Sequence, residues 1–240
     1  MITRRITEAF AKQNWSAASI ELLIVVIGIF LGLQASSWYE ERTEASLQSA
    51  IVGRLKVDFE EIRGEIEAAI DSHQKTIEGL DKLQAALDSG TLSESNESDI
   101  LYSLGHVLNM DTGGGRSATY QEIVANGRLR LLQDNDLVSA LSEYQERFDN
   151  SGRLFSEFRQ MQLEYEKDFH QHINFDRPDA IGSLGFRPPA VSNFDLEAMR
   201  QDSDFRLALS RLTAFQTYFQ IWHFRTYQSA KLVLQELEMQ

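Results

Sequence analysis

The chain has 240 residues, of which 42% are hydrophobic, and its formal net charge is −13. This length suffices for one sizeable folded domain and a small additional segment. The chain contains no cysteine, which excludes a disulfide framework and a zinc site built from thiolates. An acidic chain repels phosphate backbones, so a nucleic acid is not an expected partner.

An apolar segment from Ala17 to Trp38 reads AASIELLIVVIGIFLGLQASSW. As a helix it is about 33 Å long, which is enough to cross a hydrocarbon core of about 30 Å. The segment therefore predicts a transmembrane helix over residues 17–39, anchored at the two membrane interfaces by polar and aromatic side chains. These interface anchors are Trp15, Gln34, Trp38 and Tyr39.

Two alternatives for this segment stay open. A cleaved signal peptide needs small residues after the apolar run, and Leu33 is a poor fit for cleavage after Ala35. A core helix of a soluble protein would need an apolar environment, which no other segment of the chain supplies.

Basic residues on either side of the segment predict its orientation. Arg4, Arg5 and Lys12 lie in the tail formed by residues 1–16, and Arg42 is the basic residue close to the exit. The positive-inside rule counts such residues. Comparable windows before and after the span hold equal numbers of basic residues. We nevertheless expect the tail to lie inside the cell and the acidic domain of residues 40–240 to lie outside.

One face of the predicted span carries a carboxylate and small residues. Glu21, Gly28, Gly32 and Ala35 are separated by seven, four and three residues, which returns each to the same side of an α-helix. The two glycines form a GxxxG pattern, which lets two helix backbones approach closely. Glu21 either reaches the headgroups, contacts another helix or takes part in proton coupling. We expect this face to contact another span.

Residues 40–240 show the periodicity of helices and no convincing strand alternation. The predicted fold class is all-α: one N-terminal transmembrane helix followed by an antiparallel bundle of long helices. The first bundle helix either continues the span or bends near Ser36-Ser37 or Gly53. A Gly-rich loop is predicted at 109–116 and a Pro-containing loop at 173–193. The first predicted helix of the bundle ends near Asp88. Four further helices are predicted: from Glu97 to Leu108, after Ser117 to Asn126, from Asp136 to His172, and from Asp195 or Asp204 to the C-terminus.

No pattern of catalytic, cofactor-binding or metal-binding residues emerges. His170 and His172 are two residues apart and point to different sides of a helix, whereas helical metal sites space histidines by three or four. His73 falls on an apolar stripe and is expected to be a core histidine.

Two motifs carry a resemblance to a known family. The first is the span from Ile20-Glu21-Leu22 through Leu33-Gln34 to Trp38-Tyr39-Glu40-Glu41-Arg42. The second is Arg116-Ser117-Ala118-Thr119-Tyr120-Gln121-Glu122-Ile123, followed by Asn126-Gly127-Arg128-Leu129. Together they resemble a bacterial family of single-span membrane proteins, domain of unknown function 6090.

The resemblance implies an architecture without a mechanism. It assigns importance to Glu21, Gln34 and Trp38 in the span, and to Arg116, Tyr120 and Gly127 as structural residues of the second motif. The exit reads Ser-Ser-Trp-Tyr-Glu, where the family has Asn-Asn-Trp-Asn-Glu. A bacterial inner membrane with a periplasmic domain is the corresponding location.

The leading functional hypothesis is a non-enzymatic subunit or scaffold that contacts membrane lipid. It would form a homo-oligomer or join a larger membrane complex. The second hypothesis is a periplasmic sensing or binding module that signals through a separate partner, which is an analogy at the level of fold. An enzyme is the third.

Overall fold

The computed structural model describes residues 15–110, 113–176 and 190–240, and for residues 15–18 it describes the backbone alone. Its first element, α1, is one helix over Trp15–Ser89. Ser36, Ser37 and Gly53 all lie inside this helix, so none of them ends it. The chain divides into two compact units, of which the first ends at Ile51 and the second is Val52–Gln240.

In the first unit, α1 is long and apolar enough to cross a membrane. Its large side chains, from Ile20 to Leu33, are all exposed. The described residues of this unit contribute only Ile51, its last residue, to the buried core. The apolar surface of this segment is thus left without cover within the described residues, as expected of a helix whose solvent is lipid.

In the second unit, three long helices are joined by shorter elements. The long helices are the end of α1, α4 (Asn135–His170) and α6 (Ser203–Glu238). The shorter elements are α2 (Glu94–His106), α3 (Ala118–Ala125), a 3-10 turn (Leu129–Leu132), β1 (Ile173–Phe175), β2 (Val191–Phe194) and α5 (Leu196–Gln201). The fold class is therefore all-α, as the periodicity predicted.

The last helix, α6, runs antiparallel to both α1 and α4. Phe205 stacks on Phe169 with ring centroids 5.5 Å apart, whereas the later Phe219 lies 4.9 Å from the earlier Phe155. Along α1 the order is also reversed, because Arg206 pairs with Asp88 while Tyr227 donates to Glu67. The first and fourth helices consequently run in the same direction.

Because α1 and α4 are parallel, the chain must return from the end of α1 to the start of α4. The second helix makes the first part of this return, lying against α1 with Lys82 paired to Asp99 at 2.5 Å. The described glycines of the Gly-rich loop and α3 complete it. Gly79 permits the close approach of α1 and α2, since a Cβ there would lie 2.8 Å from Ser103 Cβ.

One hydrophobic core joins these helices. Its largest fully buried side chains come from α1, α4 and α6, and α2 adds two more. Each supplies apolar residues at steps of three, four or seven, which places them on one helix face. Core members include Leu80, Leu83, Leu87, Ile100, Leu104, Phe169, Phe205, Leu209, Leu212 and Phe219.

Polar side chains begin the helices as local sequence chemistry predicts. Ser117 Oγ accepts a hydrogen bond from Tyr120 N, and Asp134 and Asp202 accept from the first amides of α4 and α6. Asn126 ends α3, and Gly127 follows it with φ +62°, a left-handed conformation that glycine adopts without penalty.

The chain also forms one short pair of strands that the sequence pattern did not predict. Ile173 pairs with Phe194 and Asn174 with Asn193 in a short antiparallel ladder. Strands of three and four residues are too short for an alternating pattern to be visible in the sequence. They occupy the two ends of the segment predicted as a Pro-containing loop, 173–193, of which residues 177–189 lie outside the described residues.

Candidate interaction site

The predicted contact face of the span is uncovered within the described residues. Glu21, Gly28, Gly32 and Ala35 are exposed on α1. A Cβ placed at either glycine would meet no atom within 4 Å. A shallow, open strip of this kind lets another helix backbone approach closely.

Aromatic and polar side chains follow the apolar segment. Gln34 is exposed, and Trp38 and Tyr39 expose 62% and 71% of their surface. The Arg42 guanidinium lies 5.6 Å from the Trp38 ring centroid, a cation–π contact that orients both groups. Trp15 is the first residue of α1, and its side chain lies outside the described residues.

The second unit contains a buried polar cluster beside the glycine loop. His73 Nδ1 lies 2.5 Å from Gln216 Oε1, and Gln216 Nε2 donates to Val107 O at 2.6 Å. The His73 and His223 rings stack with centroids 5.0 Å apart. Both histidines are buried, so the expectation of a core histidine at His73 agrees with the structure. The cluster ties α1 and α6 to Val107, which directly follows α2.

Gly113 of the Gly-rich loop packs against His223 of this cluster, whereas Gly114 packs against Ile66 and Tyr144. Gly113 and Gly114 have φ +37° and +79°, and a Cβ on Gly113 would lie 2.7 Å from Ala69 Cβ. Tyr144 donates a hydrogen bond of 2.7 Å to Gly115 O. The triplet was interpreted as a flexible loop, yet its backbone fills the space that side chains fill elsewhere. Residues 111–112 of the predicted loop lie outside the described residues.

The residues of the second motif hold α3 in place. Arg116 pairs with Asp149 at 2.8 Å, and Tyr120 Oη lies 3.1 Å from Ser142 Oγ. Both contacts join the start of α3 to α4, and Gly127 provides the left-handed turn after α3. Arg116 and Tyr120 therefore hold the start of α3 against α4, through partners that the sequence did not identify.

Asp58 of α1 is a structural residue that the sequence reading missed. Its carboxylate accepts hydrogen bonds from Ser117 Oγ at 2.7 Å and from Thr119 N at 3.0 Å. Partial burial opposes ionisation, but these hydrogen bonds outweigh it and hold the Asp58 pKa below its ordinary value. A single aspartate in an acidic sequence carries no signal that it will bind a segment about sixty residues away.

The two histidines at the end of α4 have separate structural contacts. His172 Nε2 lies 2.7 Å from Asp202 Oδ2, beside the N-cap of α6, and this contact lowers the Asp202 pKa. His170 packs edge-on against Phe175, and burial lowers its pKa despite the nearby Glu166. Among the residues described, no group of three His, Asp or Glu side chains is placed to hold a metal ion.

The aromatic residues of the last helix divide between core and surface. Phe215 and Phe219 are buried, whereas Tyr218 and Phe224 expose 51% and 54%. Exposed residues recur at alternating steps of four and three along α6, a row that we name the outer seam. Its apolar members are Leu207, Ala214, Tyr218, Ile221 and Leu232, its basic members are Arg211 and Arg225, and Gln228 is its neutral polar member.

The chain matches no family model, no curated protein and no solved structure.

Proposed function

We propose that this chain is a non-enzymatic, single-span membrane protein that assembles through its span, with itself or as a subunit of a larger membrane complex. The observation that carries the proposal is the face formed by Glu21, Gly28, Gly32 and Ala35, which the described chain leaves uncovered. A carboxylate facing lipid is costly, and contact with another helix relieves that cost.

The small residues on this face supply the second part of the argument. Lipid tails are as apolar as leucine, so two spans associate through close packing and polar contacts instead of hydrophobic burial. Gly28 and Gly32 are one helical turn apart and allow the closest backbone approach. Glu21 lies two turns before Gly28 on the same face, where it adds a polar contact.

Replacing Gly28 and Gly32 with isoleucine tests this proposal, because two branched side chains hold the partner backbone away. We expect association in a membrane two-hybrid assay to fall at least about tenfold. The matched control replaces Leu23 and Phe30, which lie on the opposite side of the helix, with isoleucine. Equal association of the two double variants would contradict the proposal.

The Glu21→Gln variant separates the two main roles of the carboxylate. A side chain that reaches the headgroups contributes nothing to association, so the variant would then behave like the native protein. A carboxylate that contacts the partner helix makes association sensitive to this substitution.

The proposed location is a bacterial inner membrane, with residues 1–16 in the cytoplasm and the second unit in the periplasm. This orientation is supported by Arg4, Arg5 and Lys12 before the span, since Arg42 is the one basic residue close to its exit. Because the chain has no cysteine, Ser210→Cys introduces a unique thiol at an exposed position of α6. A membrane-impermeant maleimide should label it in intact cells whose outer membrane is permeable. Labelling only after lysis would show that the second unit lies in the cytoplasm, opposite to the proposed orientation.

The second candidate is a sensing module that acts through a separate partner. It is favoured by the buried cluster of His73, Gln216 and His223, against which Gly113 of the Gly-rich loop packs. A small molecule that displaces this loop would change α1 and α6 together. A ligand-dependent shift in melting temperature, absent in a His223→Phe variant, would support this candidate.

A further inference from the structure

The outer seam of α6 differs in charge from the rest of the protein. Residues 205–235 contain four basic and no acidic residues, in a chain whose net charge is −13. Arg206 is neutralised by Asp88. Arg211, Arg225 and Lys231 are exposed, and within the described residues none of the three forms an ion pair. The surface of α6 is therefore a basic strip on an acidic domain.

The seam is also apolar and regularly spaced. Alternating steps of four and three are those of the a and d positions of a heptad, which form the contact row between packed helices. Leu207 at one end and Leu232 at the other are 51% and 39% exposed. An apolar row of this length on a water-soluble surface marks an interaction site.

Two grooves flank the centre of the seam. One, of about 320 Å³, lies between α6 and α4 and is bordered by Arg147 and Leu232. The other, of about 410 Å³, lies between α6 and α1 and is bordered by Ile70 and Ile221. Phe224 and Arg225 line both grooves, so an aromatic ridge separates two concave strips.

We propose that the outer seam is the docking site of a partner protein that presents an acidic amphipathic helix. The apolar row of that helix packs on Tyr218, Ile221 and Leu232, and its flanking carboxylates meet Arg211 and Arg225. The Arg225 guanidinium lies 5.5 Å from the Trp222 ring centroid, which positions it for a carboxylate above the seam.

Charge and shape favour this occupant over the alternatives. A second copy of the chain presents the same basic seam, so a symmetric pairing of two seams brings like charges together. A flat membrane surface does not fill two grooves, whereas the side chains of a helix do. The inference is independent of the proposed contact through the span, since it uses none of the same residues.

The test uses the full chain in nanodiscs of phosphatidylcholine and two labelled peptides of about three heptads each. The peptides share a leucine and isoleucine row, and they differ only in having glutamate or lysine beside it. Fluorescence anisotropy should show the glutamate peptide binding at least about tenfold more tightly, with affinity falling as salt increases. Equal binding of the two peptides would overturn the proposal.

Exposed variants identify the seam as the binding surface. Ile221→Glu should abolish binding of the glutamate peptide, while Val57→Glu, at another exposed apolar position, should leave it unchanged. Reversing both seam charges, with Arg211→Glu and Arg225→Glu, should shift the preference to the lysine peptide. Native helicity and melting temperature of each variant are checked by circular dichroism, and the charge-reversed protein provides a gain of binding that an unfolded chain cannot produce.

Three outcomes of these measurements contradict the inference. Peptide binding that persists in Ile221→Glu places the site elsewhere. Self-association that Ile221→Glu abolishes assigns the seam to a second copy. Seam-dependent binding to phosphatidylglycerol vesicles assigns it to lipid. Because the Gly28 and Gly32 variants of the span should retain peptide binding, failure here is distinguishable from failure of the proposed assembly.

Discussion

Gly79 is the residue at which the approach of two helices is tightest. Its missing side chain makes room for Ser103 and for the backbone of Asp99 in α2. Gly79→Ala forces α2 outward, and we expect the free energy of unfolding to fall by about 1 to 3 kcal/mol. Gly64→Ala, on the same helix with no atom within 4 Å, should instead raise it by about 0.5 to 1 kcal/mol. Chemical denaturation of both variants measures the difference, and equal effects would contradict the close contact.

Asp58 makes the stability of the domain depend on pH. Its folded-state pKa is lowered from the ordinary value of 3.8, so its ionised form is favoured in the folded protein. The stabilisation is complete above that ordinary value and is lost as the pH falls through the lower folded-state pKa. Asp58→Asn should therefore flatten the loss of stability in this acid range.

The expected cost of Asp58→Asn at neutral pH is about 1 kcal/mol, because the amide is a weaker acceptor for Ser117 and Thr119. Asp71→Asn, at an exposed position of the same helix, is the matched control. Urea denaturation from pH 7 to pH 3 compares the two. Parallel curves for both variants and the native chain would show that Asp58 makes no special contribution.

Some of these residue roles could be predicted from the sequence and others could not. Ser117 begins α3 because its side chain bonds to an amide three residues later, which is a local rule. Gly79 and Asp58 depend on neighbours that only the folded chain brings to them. The same limit applies to Arg116 and Tyr120, whose importance was implied by a motif while their partners on α4 were not.

At the scale of elements, the described part of the glycine loop is a packed piece of the bundle. Gly114→Ala places a Cβ 2.7 Å from Ile66 Cγ1 at φ +79°. The strain and the contact together should cost at least about 2 kcal/mol. Gly115→Ala, which meets no atom within 4 Å, should be nearly neutral. Thermal melts of the two variants separate packing from general glycine flexibility, and equal melts would refute the packing.

The helices themselves were largely predictable because their apolar residues recur every three or four positions over long segments. The packing of Gly113 and Gly114 could not be predicted, because it depends on Ala69, Ile66 and His223, which approach these glycines only in the fold. The outer seam was hidden for a related reason. An aromatic-rich helix can bury more than one face, and sequence periodicity alone does not say which face another helix covers.

At the scale of the whole molecule, the second unit should fold without the first. The buried core begins at Ile51 and otherwise lies in Val52–Gln240. A chain that starts at Val52 should be soluble without detergent and melt cooperatively with a helical circular dichroism spectrum, since it retains that core. The full chain should partition into the detergent phase. A shortened chain that aggregates or lacks cooperativity would contradict this division.

The fold class followed from the sequence because few prolines interrupt long periodic segments. The sequence did not specify how the chain returns from the end of α1 to the start of α4. That path depends on a close glycine contact and a buried polar cluster, each of which joins residues far apart in the chain.

The antiparallel position of α6 also has a consequence for biosynthesis. His73 and Gln216, which meet in the core, are 143 residues apart. At about 5 to 20 residues per second, the ribosome needs roughly 7 to 29 s to make the chain between them. During that interval the apolar stripe of α1 emerges without the helix that later covers it. We expect this exposed stripe to be a site of chaperone binding until the last helix has been made.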